Sequence, residues 1–312
     1  MKAKDLVFGV LNRKIRNVAV YSTNRCNSRC KTCNIWDIQP KEDISLEIID
    51  KILKDLDKKV YFNLSGGEFL MHPQYKEILK KFEGYNYVLF SNCVLKKRLI
   101  ETVREFKIKN IAISCDGIDK TYEEIRGVNA FPHIKEVVEE LKNETKITLN
   151  YTISPFNSKK DLTDVVKFCN HQKIKLIIGV YNHLDYFEVD SELKLAYDLK
   201  SISIKPTCLS HSYFLQNGFI HLYNKWQKGE YKIPCLNIRM QTVIYPNGDM
   251  SLCEGKQVIL GNLAKSSFSE IWNSPETIKI QKEYRDCNDC FLICQRPLDV
   301  VLDYTKINRF IK

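Results

Sequence analysis

The chain has 312 residues, 44% of them hydrophobic, and a net charge of +10. This length suits one enlarged domain or one domain with a modest appendage, and no run approaches the roughly 20 apolar residues of a membrane span. The start of the sequence lacks the features of a signal peptide and the lysines form no basic block, so we expect a cytoplasmic protein without a nucleic-acid partner.

The first part of the chain alternates short β-branched runs with longer helical patterns. Six strands are predicted, at Val18–Ser22, Val60–Leu64, Tyr87–Ser91, Asn110–Ser114, Lys146–Ile153 and Lys175–Val180. Five helices are predicted between them, at Leu46–Leu56, Pro73–Phe82, Lys96–Phe106, Ile134–Lys142 and Lys160–Gln172. Six parallel βαβ units are too few for a closed eight-stranded barrel. The predicted fold is therefore α/β, a partial (β/α)6 TIM-like barrel with its active residues at the C-terminal strand ends.

The alternation stops after residue 181, and this change suggests five segments. They are an N-terminal extension (1–17), the barrel (18–181), a bridge (182–234), a small cysteine-bearing unit (235–296) and a C-terminal helix (297–312). Within the cysteine-bearing unit, Thr242–Cys253 is predicted to form a hairpin that turns at Tyr245–Asp249.

Twelve cysteines in a cytoplasmic chain indicate metal binding or catalysis, because disulfides are rare in a reducing compartment. Eight of them form two groups: Cys26, Cys30 and Cys33, and then Cys235, Cys253, Cys287, Cys290 and Cys294. The others are scattered: Cys93, Cys115, Cys169 and Cys208.

The first group has the spacing C-x3-C-x2-C and follows the first predicted strand. Three thiolates at this spacing cannot share one face of a regular element, so we expect a loop wrapped around a compact metal centre. Structural zinc pairs C-x2-C with a distant pair, and ferredoxins supply four cysteines to each cluster. Three cysteines leave one iron of a four-iron cluster without a protein ligand, and an open position lets another molecule bind the metal.

The run from Tyr21 to Cys26, followed by this spacing, resembles the cluster loop of the radical S-adenosylmethionine (radical SAM) superfamily. The resemblance implies that Cys26, Cys30 and Cys33 hold a [4Fe-4S] cluster whose open iron chelates S-adenosylmethionine (SAM). An electron from a reductant such as flavodoxin or ferredoxin then breaks a carbon–sulfur bond of SAM, and the resulting 5′-deoxyadenosyl radical takes hydrogen from a substrate. Thr32 departs from the family, which often has an aromatic residue before the third cysteine.

Three further motifs, each after a predicted strand, resemble cofactor-binding segments of the same superfamily. The residues concerned are Gly66, Gly67, Glu68, Asn92, Ser114 and Arg126. The resemblance implies that the two glycines allow close backbone approach and that Glu68 lies near the ammonium group of SAM. It also implies that Asn92 lies near the cofactor and that Ser114 and Arg126 hold its carboxylate, for which a guanidinium is well matched.

The second group resembles the C-terminal SPASM extension of the superfamily, whose pattern opens C-x(9–15)-G-x4-C. Twelve residues separate Cys235 from Gly248, and Cys253 follows at the required distance. The full pattern has seven cysteines and two clusters, so five cysteines imply a truncated, twitch-like unit with one auxiliary [4Fe-4S] cluster. Four of the five hold it, and the favoured ligands are Cys235, Cys253, Cys287 and Cys290. Cys294 is the alternative and Cys208 a weaker one, while a structural zinc site remains open.

Cys93 and Cys115 follow the third and fourth predicted strands, so both are expected at the barrel mouth. A thiol there could donate a hydrogen atom to a product radical, as an epimerase requires. The competing interpretation is that each is a small buried apolar residue.

The implied activity is cleavage of SAM followed by hydrogen abstraction. We expect a peptide or protein substrate, because SPASM-like and twitch-like enzymes include modifiers of ribosomally made peptides. A short auxiliary unit also resembles that of small-molecule dehydrogenases, so a sugar or other small molecule is the alternative. From another class, a non-enzymatic iron–sulfur electron carrier or metal-binding module stays open.

Overall fold

A single nine-stranded sheet organises the chain, and the computed structural model describes residues 9–189 and 213–304 of it. The strands are β1 (Asn17–Tyr21), β2 (Tyr61–Ser65), β3 (Asn86–Ser91), β4 (Asn110–Ser114), β5 (Lys146–Ile153), β6 (Lys175–Val180), β7 (Gln241–Ile244), β8 (Asp249–Ser251) and β9 (Ile259–Asn262). Their order across the sheet is β6-β5-β4-β3-β2-β1-β7-β8-β9. All pairs from β6 to β7 are parallel, which confirms the predicted α/β fold and partial barrel.

The helices follow the strands in the expected alternation. They are α1 (Leu46–Asp55), α2 (Tyr75–Lys81), α3 (Lys96–Glu105), α4 (Asp119–Arg126), α5 (Phe131–Leu141), α6 (Lys159–Gln172), α7 (Tyr213–Gln227), α8 (Phe268–Asn273), α9 (Pro275–Glu283) and α10 (Pro297–Tyr304). Ser45 begins α1 by accepting a hydrogen bond from the Ile48 N–H. In the described ranges, every helix is too short or too polar to cross a lipid bilayer.

Two details of the helices differ from the sequence-based expectation. Helix α2 begins at Tyr75 instead of Pro73, because His72 ends a short 3₁₀-helix and its ring accepts the Gln74 N–H at 3.0 Å. Helix α4 was not predicted. Its C-terminal signal is Gly127, which has the left-handed conformation (φ 67°) typical of a helix end.

The sheet separates an apolar layer under the helices from an inner face with polar side chains. On β5, Leu149 and Tyr151 are buried in the main core, while the alternating Asn150 and Thr152 are only half-buried. The inner face near β1 and β7 carries a second cluster, in which Tyr21 packs against Tyr245. This alternation leaves the inner face of the barrel available for binding.

The predicted hairpin in the cysteine-bearing unit extends the barrel sheet. Strand β7 pairs in parallel with β1, so that Thr242 lies opposite Val18, and β8 and β9 continue the sheet in antiparallel fashion. The first cysteine group follows the C-terminal end of β1, whereas Cys235 precedes β7 and Cys253 follows β8, at the opposite edge of the same sheet. The predicted C-terminal helix begins at Pro297, and its final residues lie outside the described part of the chain.

Candidate active site

The first cysteine group lies on a long loop between β1 and α1 that is closed at its base. The Ser22 N–H donates to the Ser65 carbonyl, and the Ile44 N–H donates to the Ser22 carbonyl, each at 2.8 Å. Further along, the Arg25 guanidinium pairs with the Asp43 carboxylate at 3.0 Å. These contacts hold both ends of the loop at the C-terminal edge of the sheet.

The glycine turn after β2 supports one side of this cysteine loop. The Gly67 N–H donates to the Thr23 carbonyl at 2.7 Å, and the Glu68 N–H donates to the Arg25 carbonyl at 2.8 Å. A Cβ atom on Gly67 would lie 2.3 Å from the Arg25 oxygen and 2.9 Å from Cys26 Cβ. The two glycines therefore permit close approach to the cysteine loop itself, and Gly66 also has a φ of +148°.

The end of α4 supports the other side. The Arg29 N–H donates to the Arg126 carbonyl at 2.8 Å, and the Lys31 N–H donates to the Ile125 carbonyl at 2.9 Å. A Cβ atom on Gly127 would lie 2.7 Å from Arg29 Cβ, so this glycine also allows the contact. The unpredicted helix α4 thus completes the support of the cysteine loop.

The three thiols of the loop lie close enough to affect one another's pKa. Cys30 is buried and the other two are half-buried. Burial and, to a smaller extent, the thiolate of Cys30 raise the pKa of Cys26 to about 11, although a hydrogen bond from the Ser28 N–H lowers it. Burial, and then Cys30 and Cys26, likewise raise the pKa of Cys33 above its ordinary value. Across the described ranges, no set of three or more Cys, His, Asp or Glu side chains is arranged to hold a single metal ion.

Donors from two other elements reach the sulfur atoms. The Arg126 guanidinium lies 3.6 Å from Cys30 Sγ, and the Asn92 side-chain amide lies 3.8 Å from Cys26 Sγ. The Asn92 amide also donates to Asn27 Oδ1 at 2.7 Å and Ser28 Oγ at 2.9 Å. A positive charge and an amide next to the thiols favour their thiolate form, which is the form that binds metal. This loop fits a cluster bound by three thiolates.

Glu68 is almost completely buried and joins the ends of two strands. Its carboxylate accepts hydrogen bonds from Ser91 Oγ at 3.1 Å, the Asn92 N–H at 2.8 Å and the Leu70 N–H at 3.4 Å. Burial raises the pKa of Glu68 to about 7, although these hydrogen bonds lower it. In this structure Glu68 positions Asn92, and its contact with a cofactor ammonium stays a prediction.

One nitrogen atom of the Arg126 guanidinium has no hydrogen-bond partner in the described structure. Its guanidinium pairs with Asp116 at 2.5 Å, while its Nε atom is buried without a hydrogen-bond partner in the described structure. Ser114 ends β4 opposite Asn150 of β5, whose side-chain oxygen is also buried without a partner there. Unpartnered buried polar atoms are costly unless a ligand or water satisfies them. Asp116 was not among the predicted site residues, although it belongs to the same motif as Ser114.

The four favoured cysteines of the second group line one cleft. The sulfur-bearing residues of this cleft are Cys235, Cys253, Cys287 and Cys290. Burial raises the pKa of Cys235, Cys253 and Cys290 to about 12 each. Cys294 does not line this cleft, and Cys208 lies outside the described residues.

A buried arginine lies beside this cleft as well. Arg296 is 1% exposed, pairs with Asp299 at 3.0 Å and donates to the Ile233 carbonyl at 2.8 Å. Its charge acts on both Cys235 and Cys290, where it lowers the pKa against the effect of burial. The sequence analysis missed this pair, because an arginine two residues after the last cysteine of the group carries no recognisable pattern.

The expectation that Cys93 and Cys115 face the barrel mouth is wrong. Both are completely buried in the main hydrophobic core. The competing interpretation, that each is a small buried apolar residue, agrees with this packing. Cys115 donates to the Gly117 carbonyl at 3.2 Å. Neither thiol can reach a substrate on the inner face.

Two segments of the chain match known protein families. Residues 20–169 match the radical SAM superfamily, and residues 235–291 match the SPASM iron–sulfur cluster-binding domain. The chain belongs to the radical SAM superfamily. This radical SAM protein is therefore an enzyme that uses SAM and a [4Fe-4S] cluster, with a SPASM-type domain that binds an auxiliary iron–sulfur cluster. The family match favours this assignment over the alternative of a non-enzymatic electron carrier.

Curated relatives have varied activities. The GTP 3′,8-cyclase of Aliarcobacter butzleri is 29% identical over 171 residues, which are 50% of this chain and 52% of the cyclase. The AdoMet-dependent heme synthase of Methanosarcina barkeri is 22% identical over 320 residues, covering 90% of this chain and 88% of the synthase. The chain thus spans about half the length of the first of these relatives.

Two solved structures show the same fold. Streptococcus suis SuiB bound to its precursor peptide SuiA has a TM-score of 0.62 at 17% identity, over 89% of this chain and 69% of SuiB. The anSMEcpe protein with bound AdoMet and a Cp18Cys peptide has a TM-score of 0.58 at 14% identity, over 96% of this chain and 100% of that chain.

Proposed function

We propose that Cys26, Cys30 and Cys33 hold the [4Fe-4S] cluster that cleaves SAM. The observation that carries this assignment is the loop itself, which brings three thiols close enough to affect one another's pKa and is supported from both sides by the glycine turn and by α4. A fourth thiolate from this group is missing, so one iron stays open for the cofactor. When bound, the cluster supplies the electron that breaks a carbon–sulfur bond of SAM and yields a 5′-deoxyadenosyl radical.

Arg126, Ser114 and Asn150 are the residues we assign to cofactor binding at the barrel mouth. The unpartnered Nε atom of Arg126 supports this, because a carboxylate of SAM would satisfy a buried donor and bind its charge. Asp116 orients the guanidinium from the opposite side. Gly66 and Gly67 keep this edge free of side chains, and Asn92 holds the cysteine loop in register.

We assign the auxiliary [4Fe-4S] cluster to Cys235, Cys253, Cys287 and Cys290. Their shared cleft supports this choice, and so does the separate position of Cys294. Arg296 would balance the negative charge of four thiolates, since burying such a charge without a partner is costly. Four cysteines also suit zinc, so metal analysis of anaerobically prepared protein must decide between the two.

The substrate we propose is a peptide or protein. Two enzymes of the same fold have been solved with bound peptides, and this chain matches nearly the whole length of one of them. A small molecule is the second candidate, because the heme synthase and GTP cyclase relatives are named for small-molecule reactions and the former aligns over 90% of this chain. A reductant such as flavodoxin or ferredoxin is the expected partner.

Anaerobic reconstitution tests the cluster assignment. We expect about eight irons per chain, and 5′-deoxyadenosine after adding SAM and titanium(III) citrate. The triple variant Cys26→Ala, Cys30→Ala, Cys33→Ala should lose about half the iron and form no 5′-deoxyadenosine, whereas Cys169→Ala, a change in the core of α6, should keep both. Zinc without iron, or cleavage of SAM by the triple variant, would contradict the proposal.

The substrate class is tested by stimulation of cofactor cleavage. A pool of short peptides, GTP and an iron porphyrin are each added to the reconstituted enzyme, and 5′-deoxyadenosine is measured alongside the mass of each candidate. We expect the peptide pool to accelerate cleavage and to contain members whose mass changes. Stimulation by GTP or the porphyrin alone would replace the peptide proposal with the small-molecule one.

A further inference from the structure

The loop that carries the first cysteine group has an excess of positive charge. Residues 21–41 include one acidic side chain, Asp37, and four basic ones: Arg25, Arg29, Lys31 and Lys41. The Arg25 guanidinium is paired with Asp43, whereas the other three cations form no ion pair with any carboxylate in the described ranges of the chain. Three positive charges on this loop are therefore available to attract a negatively charged partner.

Two of these charges lie on either side of Cys30 in the chain. The Cys30 thiol is buried, whereas its neighbours Arg29 and Lys31 are exposed. The Arg29 guanidinium lies 4.8 Å from the centre of the Trp36 ring, and the Lys41 ammonium donates to the Trp36 carbonyl at 2.7 Å. We call Arg29, Lys31, Trp36 and Lys41 the basic face of the cysteine loop.

The backbone beneath the basic face is held in place. The Arg29 and Lys31 N–H groups donate to carbonyls of α4, those of Arg126 and Ile125. The Lys31 ammonium also lies 5.2 Å from the centre of the Phe156 ring, which follows β5. Because the backbone and part of each side chain are already ordered, a partner that binds here loses little free energy in ordering the surface.

We propose that the basic face is the docking surface for an acidic one-electron carrier protein. This inference rests on the proposed function, in which the cluster on Cys26, Cys30 and Cys33 is reduced before it cleaves SAM. In the transfer the carrier loses one electron and the cluster gains it, while no bond forms or breaks. Electron-transfer partners meet through small, weak interfaces, so a face of a few residues is sufficient. Complementary charge speeds such encounters, and arginine and tryptophan are enriched at protein interfaces.

The position of the basic face favours it over the barrel mouth as the point of electron entry. The mouth is the site that we assign to SAM, so a carrier bound there would compete with the cofactor. Electron transfer between proteins slows steeply with distance, and Arg29 and Lys31 are exposed residues directly next to a proposed cluster ligand in the chain. A carrier on the basic face can thus reduce the cluster while SAM stays bound.

Charge reversal at Lys31 tests this surface. The reconstituted holoenzyme is given SAM and either reduced flavodoxin, an acidic carrier, or reduced methyl viologen, a small cation that needs no docking surface. At low ionic strength we expect Lys31→Glu to raise the flavodoxin concentration for half-maximal 5′-deoxyadenosine formation about tenfold, because the basic face loses charge complementarity. Its rate with methyl viologen should stay within about twofold. Lys31→Arg, which keeps the charge, should behave as the wild-type enzyme does with both reductants.

Lys59→Glu is the matched control. Lys59 is exposed and precedes β2, whereas the cysteine loop follows β1, so the two positions lie at opposite ends of parallel strands. The substitution changes the net charge by the same amount as Lys31→Glu. We expect the flavodoxin requirement of Lys59→Glu to stay within about twofold of the wild-type value, since a distant charge is screened by salt.

A binding measurement on the wild-type holoenzyme does not depend on turnover. A water-soluble carbodiimide joins lysine amines to carboxylates that are in contact, and mass spectrometry locates the cross-link. With oxidised flavodoxin we expect a cross-link at Lys31 that disappears in about 0.5 M salt.

Three results would each overturn the docking surface. They are cross-links confined to lysines outside the basic face, an unchanged flavodoxin requirement in Lys31→Glu, and an equal loss of rate in that variant with methyl viologen. Failure of the proposed function is distinct from these results, because the wild-type enzyme would then form no 5′-deoxyadenosine with either reductant.

Discussion

The two cysteine sites have different numbers of thiols, but each lies beside a buried arginine–aspartate pair. In each, a buried arginine pairs with an aspartate and leaves its Nε atom without a partner in the described structure: Arg126 with Asp116, and Arg296 with Asp299. The first site offers three thiols on a loop at the mouth of the barrel, whereas the second encloses four in a cleft. A buried cation can thus support either kind of cluster, and the thiol count decides whether an iron stays open to a cofactor.

Removing one thiol from each site gives the largest contrast. We expect Cys30→Ala to lose about four of about eight irons and to reduce SAM cleavage to background, because the open cluster cannot assemble. Cys290→Ala should also lose about four irons, yet it should still form 5′-deoxyadenosine. Iron analysis and product chromatography under anaerobic conditions measure both. If Cys290→Ala abolished cleavage as completely as Cys30→Ala, the two sites would not be functionally separate.

Substitution of the buried arginine at each site should also separate the two sites, with a smaller effect than removal of a thiol. Arg126→Lys keeps the positive charge but loses the planar fork, so we expect the KM for SAM to rise about 10- to 100-fold while iron content is retained. The matched change, Arg296→Lys, should leave that KM within about twofold and weaken the auxiliary cluster instead. Titration of SAM against initial rate is the measurement. An unchanged KM in Arg126→Lys would remove this arginine from cofactor binding.

The glycine turn that supports the first site should tolerate no side chain. Gly67→Ala would place a Cβ atom 2.3 Å from the Arg25 oxygen, so the cysteine loop must shift, at a cost of about 2–3 kcal/mol in the free energy of unfolding. Gly229→Ala is the matched control, because Gly229 has a φ of +73° and no atom within 4 Å of its Cβ position. Its cost should be about 1 kcal/mol. Urea unfolding measures the free energy of unfolding of both variants. Equal decreases would show that the close contact at Gly67 does not add to the cost.

Glu68 should also confer a pH dependence on the stability of the first site. Its pKa is about 7 in the folded protein and 4.5 ordinarily, so the folded state favours the protonated form. As the pH rises from about 4.5 to 7, unfolding releases a proton and the free energy of unfolding falls, by roughly 3 kcal/mol. The Glu68→Gln variant should lose the part of the pH dependence that comes from Glu68. It should keep the part that comes from Asp299, whose pKa is also about 7. Urea unfolding of cluster-free protein at pH 5 and pH 8 measures it, and an identical dependence in the variant would contradict the assignment.

The sequence predicted the alternating elements well, because period and strand composition are local signals. Strands β4, β5 and β6 occur where they were expected. Contacts between distant segments were less predictable, because the pairing of β7 with β1 and the burial of Cys93 in the core depend on packing that no local pattern encodes. The motifs predicted that Cys26 and Arg126 belong to one site. No local pattern predicted that the Asn92 N–H would donate to Glu68 or that Arg296 would lie beside the auxiliary cleft.

The central claim is that a cluster on Cys26, Cys30 and Cys33 keeps one iron open to SAM. Electron paramagnetic resonance of the reduced holoenzyme, recorded with and without SAM, tests it most directly. We predict that SAM changes the spectrum of the wild-type enzyme and of Cys290→Ala, but has no effect on Cys30→Ala. A wild-type spectrum that is identical with and without SAM would contradict the account.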